Sequence, residues 1–171
     1  MNRLLTTLKL TGTFALGVLT GVHFNFSLQT LRTLLALNSA SQARRAFTIS
    51  LGLLRSTVRP LELIAAASLL TAWLLSPRGG KHPYLLLATL PVAAAVGVER
   101  LKLVGVEYGV QTLGEGEVKE GERDGVKGEA EVNGEAVQGG MEAWKQWGLV
   151  RGGIVGVGFG IALVGVYGDF M

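Results

Sequence analysis

The stretch that decides the fold reads Trp147-Gly-Leu-Val-Arg-Gly-Gly-Ile-Val-Gly-Val-Gly-Phe-Gly-Ile-Ala-Leu-Val-Gly-Val-Tyr167. Gly148, Gly152, Gly156 and Gly160 recur at every fourth residue, so a helix stacks them on one side. In water each glycine costs a helix about 1 kcal/mol relative to alanine. In lipid the backbone must satisfy its own hydrogen bonds, so the helix forms regardless. There a bare glycine side becomes a groove that a neighbouring helix can approach closely. The stretch predicts a transmembrane helix that is also a packing surface. The rest of the chain predicts three more spans and one soluble loop.

The bulk composition agrees. Of 171 residues, 49% are hydrophobic and the mean hydropathy is +0.40, high for a soluble domain. The charges are segregated: residues 99–146 carry a net −5 and the remainder +8. Basic residues beside apolar runs point to a membrane partner, not to nucleic acid. The chain has no cysteine, which excludes disulfides, thiolate metal sites and a cysteine nucleophile.

Leu10 to Leu31 contains no charged residue over 22 positions, enough to cross a bilayer. The run is longer than the apolar core of a signal peptide, and no small-x-small site follows it. Thr13, Gly17 and Gly21 form a second small side, which makes Gly17 and Gly21 the expected partners of Gly152 and Gly156. His23 inside this span is read as bonded to a neighbouring backbone or facing the headgroups. Ser27 reads as a helix cap, and Asn38-Ser39-Ala40-Ser41 as a break. Gln42 to Leu54 is either a basic amphipathic helix at the membrane surface or the start of the next span.

The second span is expected from Pro60, at a first helical turn, to Ser76. Arg59 and Glu62 can neutralise each other near its end, and Trp73 suits an interface position at the other. Ser76 to Pro83 reads as a tight turn. The third span is Tyr84 to Val98, with Pro91 expected to bend it; Leu101, Val104 and Tyr108 can prolong it. From Gly114 onward glycine alternates with charge and no apolar period appears, which predicts disorder. Trp144 and Trp147 mark re-entry, and Arg151 is expected to snorkel to that interface.

The fold is therefore expected to be all-α, a four-transmembrane-helix bundle with a disordered acidic loop between helices 3 and 4. Residues 1–109 hold three spans and the basic connector, 110–143 the loop, and 144–171 the fourth span of the same bundle. With two histidines and no inward pair of acids, the sequence offers no catalytic set, metal site or cofactor site. A small transporter or membrane enzyme built on His23, Asn25, Glu62 and the Pro91 bend is the alternative reading. Glycine sides also permit a second copy of the chain as partner.

Two short strings carry a resemblance. His82-Pro83-Tyr84-Leu85-Leu86 opens the third span, and Gly165-Val166-Tyr167-Gly168-Asp169 closes the fourth. With four spans and a polar loop before the last, the chain resembles the fungal autophagy-related protein 33 family, whose plan the suppressor-of-cell-division-cycle-4 protein shares. The resemblance implies a non-catalytic mitochondrial outer-membrane protein required for selective degradation of mitochondria. It makes His82, Pro83, Tyr84, Gly165, Tyr167 and Gly168 motif positions, and the partners the bilayer and either autophagy machinery or other mitochondrial membrane proteins. Basic residues near the first and third connections outnumber those on the other side, which places the long loop in the cytosol. Trp147-Gly-Leu-Val150 has the aromatic-x-x-aliphatic spacing of peptides that add a strand to autophagy modifiers. Its place in a span makes packing the better reading.

Overall fold

The computed structural model describes residues 3–77, 82–113 and 133–169. They form four long helices, α1 (Arg3–Leu35), α2 (Ala40–Leu75), α3 (Tyr84–Thr112) and α4 (Gly134–Gly168), each long and apolar enough to cross a membrane. Among the described residues there is no strand. The helices run alternately up and down, so Lys9 of α1 and Asp169 beyond α4 meet at one end. α1 packs between α2 and α4, and α4 between α1 and α3; α2 and α3, although consecutive, are the loosest neighbours. The core is apolar and continuous, with Leu16, Leu19, Phe47, Leu51, Leu69 and Leu85 almost wholly buried.

Local chemistry sets the boundaries. Ser39 accepts a hydrogen bond from the Gln42 backbone and caps α2, as the break at residues 38–41 requires. Arg44 reaches back to the carbonyls of Gln111 and Leu113 and closes the end of α3. Asn133 caps α4 through the backbone amides of Glu135 and Ala136.

Several expectations are corrected. Of the two readings of Gln42 to Leu54, the start of the next span holds and the separate surface helix does not; Ala43, Phe47, Leu51 and Leu54 bury one continuous face. Pro60 therefore stands inside α2, not at its first turn. Pro91 stands inside α3 as expected, and α3 is prolonged past Val98 to Thr112, as Leu101, Val104 and Tyr108 allowed. The fourth helix starts at Gly134, ten residues before Trp144, because Val137, Met141 and Trp144 fall on one helical face and are buried. These helix ends take residues 110–112 and 134–143 out of the expected loop. Its acidic centre, 114–132, and residues 78–81 of the short turn lie outside the described residues.

Two wide turns shift the helical register. π-helical turns occupy Phe26–Thr30 in α1 and Glu99–Leu103 in α3. Buried positions step by four across each of them, at 19, 23, 27 and 31 and at 95, 99, 103 and 107. An ordinary helix at 3.6 residues per turn drifts away from such a run, whereas a wide turn absorbs the excess. Ser27 is thus turned inward and caps nothing, and Glu99 and Glu107 both face the core.

The glycine side behaves differently from its simple reading. Steps of four residues rotate about 40° each around a helix, so Gly160 lies roughly 120° from Gly148. The buried seam of α4 instead alternates steps of four and three, through 137, 141, 144, 148, 151, 155, 158 and 162. A heptad seam of this kind keeps one side facing its neighbours.

Candidate functional site

Two polar clusters stand out in an otherwise apolar bundle. The first lies midway along the helices. Arg55, Arg59 and Glu62 share one side of α2, and the wide turn of α3 brings Glu99 and Glu107 against them. Arg151, on the heptad seam of α4, completes the set. Its Nη2 donates to Glu62 Oε1 at 2.6 Å and lies 2.7 Å from Glu99 Oε2. Arg59 donates to Glu99 Oε1 at 2.5 Å and to Glu62 Oε2 at 3.4 Å. Arg55 pairs with Glu107, whose other oxygen accepts from Trp144 Nε1 at 2.9 Å.

Three guanidiniums balance three carboxylates. Glu62, Glu99, Glu107 and Arg151 are each at most 5% exposed, whereas the Arg55 and Arg59 side chains are 44% exposed. A buried charge is tolerable only with such partners, and losing one partner costs far more than the pair contributes. The arrangement ties α2, α3 and α4 together.

This cluster corrects two expectations and extends a third. Arg151 does not snorkel outward; it is turned into the bundle, 3% exposed and held by two acids. Arg59 and Glu62 do pair, as their spacing indicated, but within a six-member network. The bundle does contain an inward pair of acids, Glu62 and Glu99. They face guanidiniums, and among the described residues no three acids or histidines are placed to hold a metal.

Next to Arg151 runs the seam between α1 and α4. A Cβ on Gly148 would lie 2.5 Å from Ser27 Oγ, and one on Gly152 3.2 Å from His23 Cβ. Gly156 faces Thr20 at 3.3 Å, and Gly17 faces the Phe159 ring at 3.0 Å. At Gly148 a side chain would force the helices or its neighbours to shift, and at the other three it would be tight against them. The expected pairing of Gly17 and Gly21 with Gly152 and Gly156 is corrected: Gly21 and Gly160 have open space around them. His23 is 1% exposed and neither caps a backbone nor reaches a headgroup; its Nε2 and Ser27 Oγ are buried without a hydrogen bond.

The second cluster is where the two motif strings meet. Asp169 Oδ2 accepts from Lys9 Nζ at 2.7 Å and from the Tyr84 hydroxyl, and His82 Nε2 lies 3.4 Å from Oδ1. Pro83 stands at the start of α3. Tyr84 lies directly over Gly165, where any side chain would collide with the ring. Tyr167 is 62% exposed, and Gly168 has nothing close to it. Burial alone would raise the Asp169 carboxyl, but hydrogen bonds from Lys9 and Tyr84 and the charges of Lys9 and His82 outweigh it and hold the group below its ordinary value.

Sequence reasoning missed Gly12, Gly158, Lys9, Glu99 and Glu107. Gly12 admits Leu69 of α2, and Gly158 admits Ala88 and Pro91 of α3. The alternation of four and three along α4 was the available signal for Gly158 and Arg151. For Glu99 the signal was the run of four-residue steps. Trp147-Gly-Leu-Val150 is helical, and Lys102 lies 5.3 Å over the Trp147 ring, so this peptide is packed in the bundle and not free to extend.

No family model matches the chain, and no solved structure matches it. The chain is similar to autophagy-related protein 33 of Gibberella zeae, at 30% identity over 181 aligned residues that cover 95% of this chain and 90% of the relative. Likeness of that extent shows the family, and the chain belongs to the autophagy-related protein 33 family.

Proposed function

We propose that the protein is a non-catalytic, multi-pass protein of the mitochondrial outer membrane that acts in selective autophagy of mitochondria. The observation that carries this reading is the relative's name, autophagy-related protein 33, over nearly the full length of both chains. The non-catalytic role is supported by the use made of the buried acids. Glu62, Glu99 and Glu107 are each engaged by a guanidinium, which leaves them as structural ties. Outer-membrane residence rests on the family resemblance and on four helices able to cross a bilayer. The excess of basic residues near the first and third connections supports a cytosolic position for the loop between α3 and α4.

The test is a deletion strain under starvation carrying a mitochondrial matrix reporter that is processed on delivery to the vacuole. Processing is expected to fall while delivery of a bulk cytosolic reporter continues. Unchanged mitochondrial processing would sink the proposal. Protease added to intact mitochondria is expected to cut within residues 114–132, and full protection would reverse the orientation.

A further inference from the structure

The loosest of the consecutive helix pairs, α2 and α3, encloses a groove of about 450 Å³. Its walls include Ala66 and Leu70 of α2 and Leu90 and Ala93 of α3, and Arg59 and Glu62 stand at one end. The volume falls within the range of ligand pockets. The groove exists because α3 is drawn onto α4, where Gly158 admits Ala88 and Pro91, and because alanines face it. It runs within two uncharged stretches, residues 63–77 and 84–98. The distance from Arg59 to Leu70 along α2 is about 16 Å. The end is asymmetric in charge exposure: Arg59 and its neighbour Arg55 are nearly half exposed, while the acids that pair with them are buried.

We propose that this groove holds one phospholipid, its acyl chain between α2 and α3 and its phosphate on Arg59 and Arg55. Guanidinium matches phosphate in geometry and charge. A helix from a second copy would bring apolar side chains to the walls but no anion to the exposed arginines. The three guanidiniums and three carboxylates of the network already balance. A zwitterionic headgroup keeps the site neutral, and an anionic one does not, so the lipid is phosphatidylcholine-like. The proposal presupposes only that the apolar part of the bundle lies in a bilayer. Resistance to alkaline carbonate extraction tests that separately, and failure of the autophagy role leaves the groove untouched.

The experiment uses the full chain reconstituted in nanodiscs of equal parts phosphatidylcholine and phosphatidylglycerol, released into mild detergent and weighed by native mass spectrometry. One retained phosphatidylcholine per chain is expected. Ala66→Phe with Ala93→Phe should reduce retention at least tenfold while helix content is kept, because the pair fills the groove without touching the charge network. Arg59→Gln should reduce retention of the same lipid as well. Absence of retained lipid on the wild type, retention unchanged by the paired phenylalanines, preference for phosphatidylglycerol, or a chain dimer in place of lipid would each overturn the proposal.

Discussion

The network around Arg151 and the cluster around Asp169 are built from similar groups but sit in different surroundings. At Arg151 every carboxylate is enclosed, and three helices depend on the balance of charge. At Asp169 the set lies at the end of the bundle, and the His82 side chain is half exposed. The Lys9 and Asp169 side chains are just as enclosed, at 8% and 6% exposed, so what differs is sharing: Arg151 serves two acids, whereas Asp169 has three partners, one of them half exposed. The lesson is that the number of ion pairs says little about their energetic weight, and how a charge is shared says much.

The largest effect is expected at the shared cation. Arg151→Met should lower stability by about 3–5 kcal/mol because Glu62 and Glu99 lose their shared cation. Unfolding of the reconstituted protein by denaturing detergent measures it. Arg151→Met combined with Glu62→Met should recover most of the loss, and a double variant no better than the single would break the account. Next come the glycines. Gly152→Leu, against His23, and Gly165→Leu, against Tyr84, should each cost about 2–3 kcal/mol through overpacking. Gly160→Leu should change stability by less than about 0.5 kcal/mol, because nothing stands in its way. Equal effects at 152 and 160 would mean the seam follows the four-residue spacing after all.

A smaller effect than at the tight glycines is expected at the end of the bundle. Asp169→Asn should cost about 1–2 kcal/mol at neutral pH, because the amide oxygen can still accept from Lys9 or Tyr84. Because the carboxyl is held below its ordinary value, its contribution is fully present above about pH 4 and is lost as pH falls through the lowered value. Wild type and variant should therefore differ from pH 5 to 8 and converge only in stronger acid. A difference that grows on acidification would contradict the pairing with Lys9 and Tyr84.

Much of this architecture was legible in the residues. Uncharged runs located the helices, the break at residues 38–41 was visible although the second span was expected only from Pro60, and Gly148 and Gly152 announced a close approach. The strings at His82 and Gly165 were visible as a pair, although only their meeting over Asp169 explains why. What was not legible depends on register. Glu62 and Glu99 are 37 positions apart, and Arg151 is further still. They converge only because a wide turn rotates α3 and a heptad seam sets α4. Gly21 and Gly160 misled for a related reason: regular spacing in a string is not regular placement on a helix of 3.6 residues per turn.

The helix lengths have a consequence for how the protein meets the cell. The four helices contain between 29 and 36 residues, which makes them about 43–54 Å long, while the oily layer of a bilayer is about 30 Å deep. In a bilayer, the length that helix tilt does not absorb would stand outside as a rigid plinth. A partner arriving from the aqueous side would then touch a preformed helical platform before it reached any headgroup.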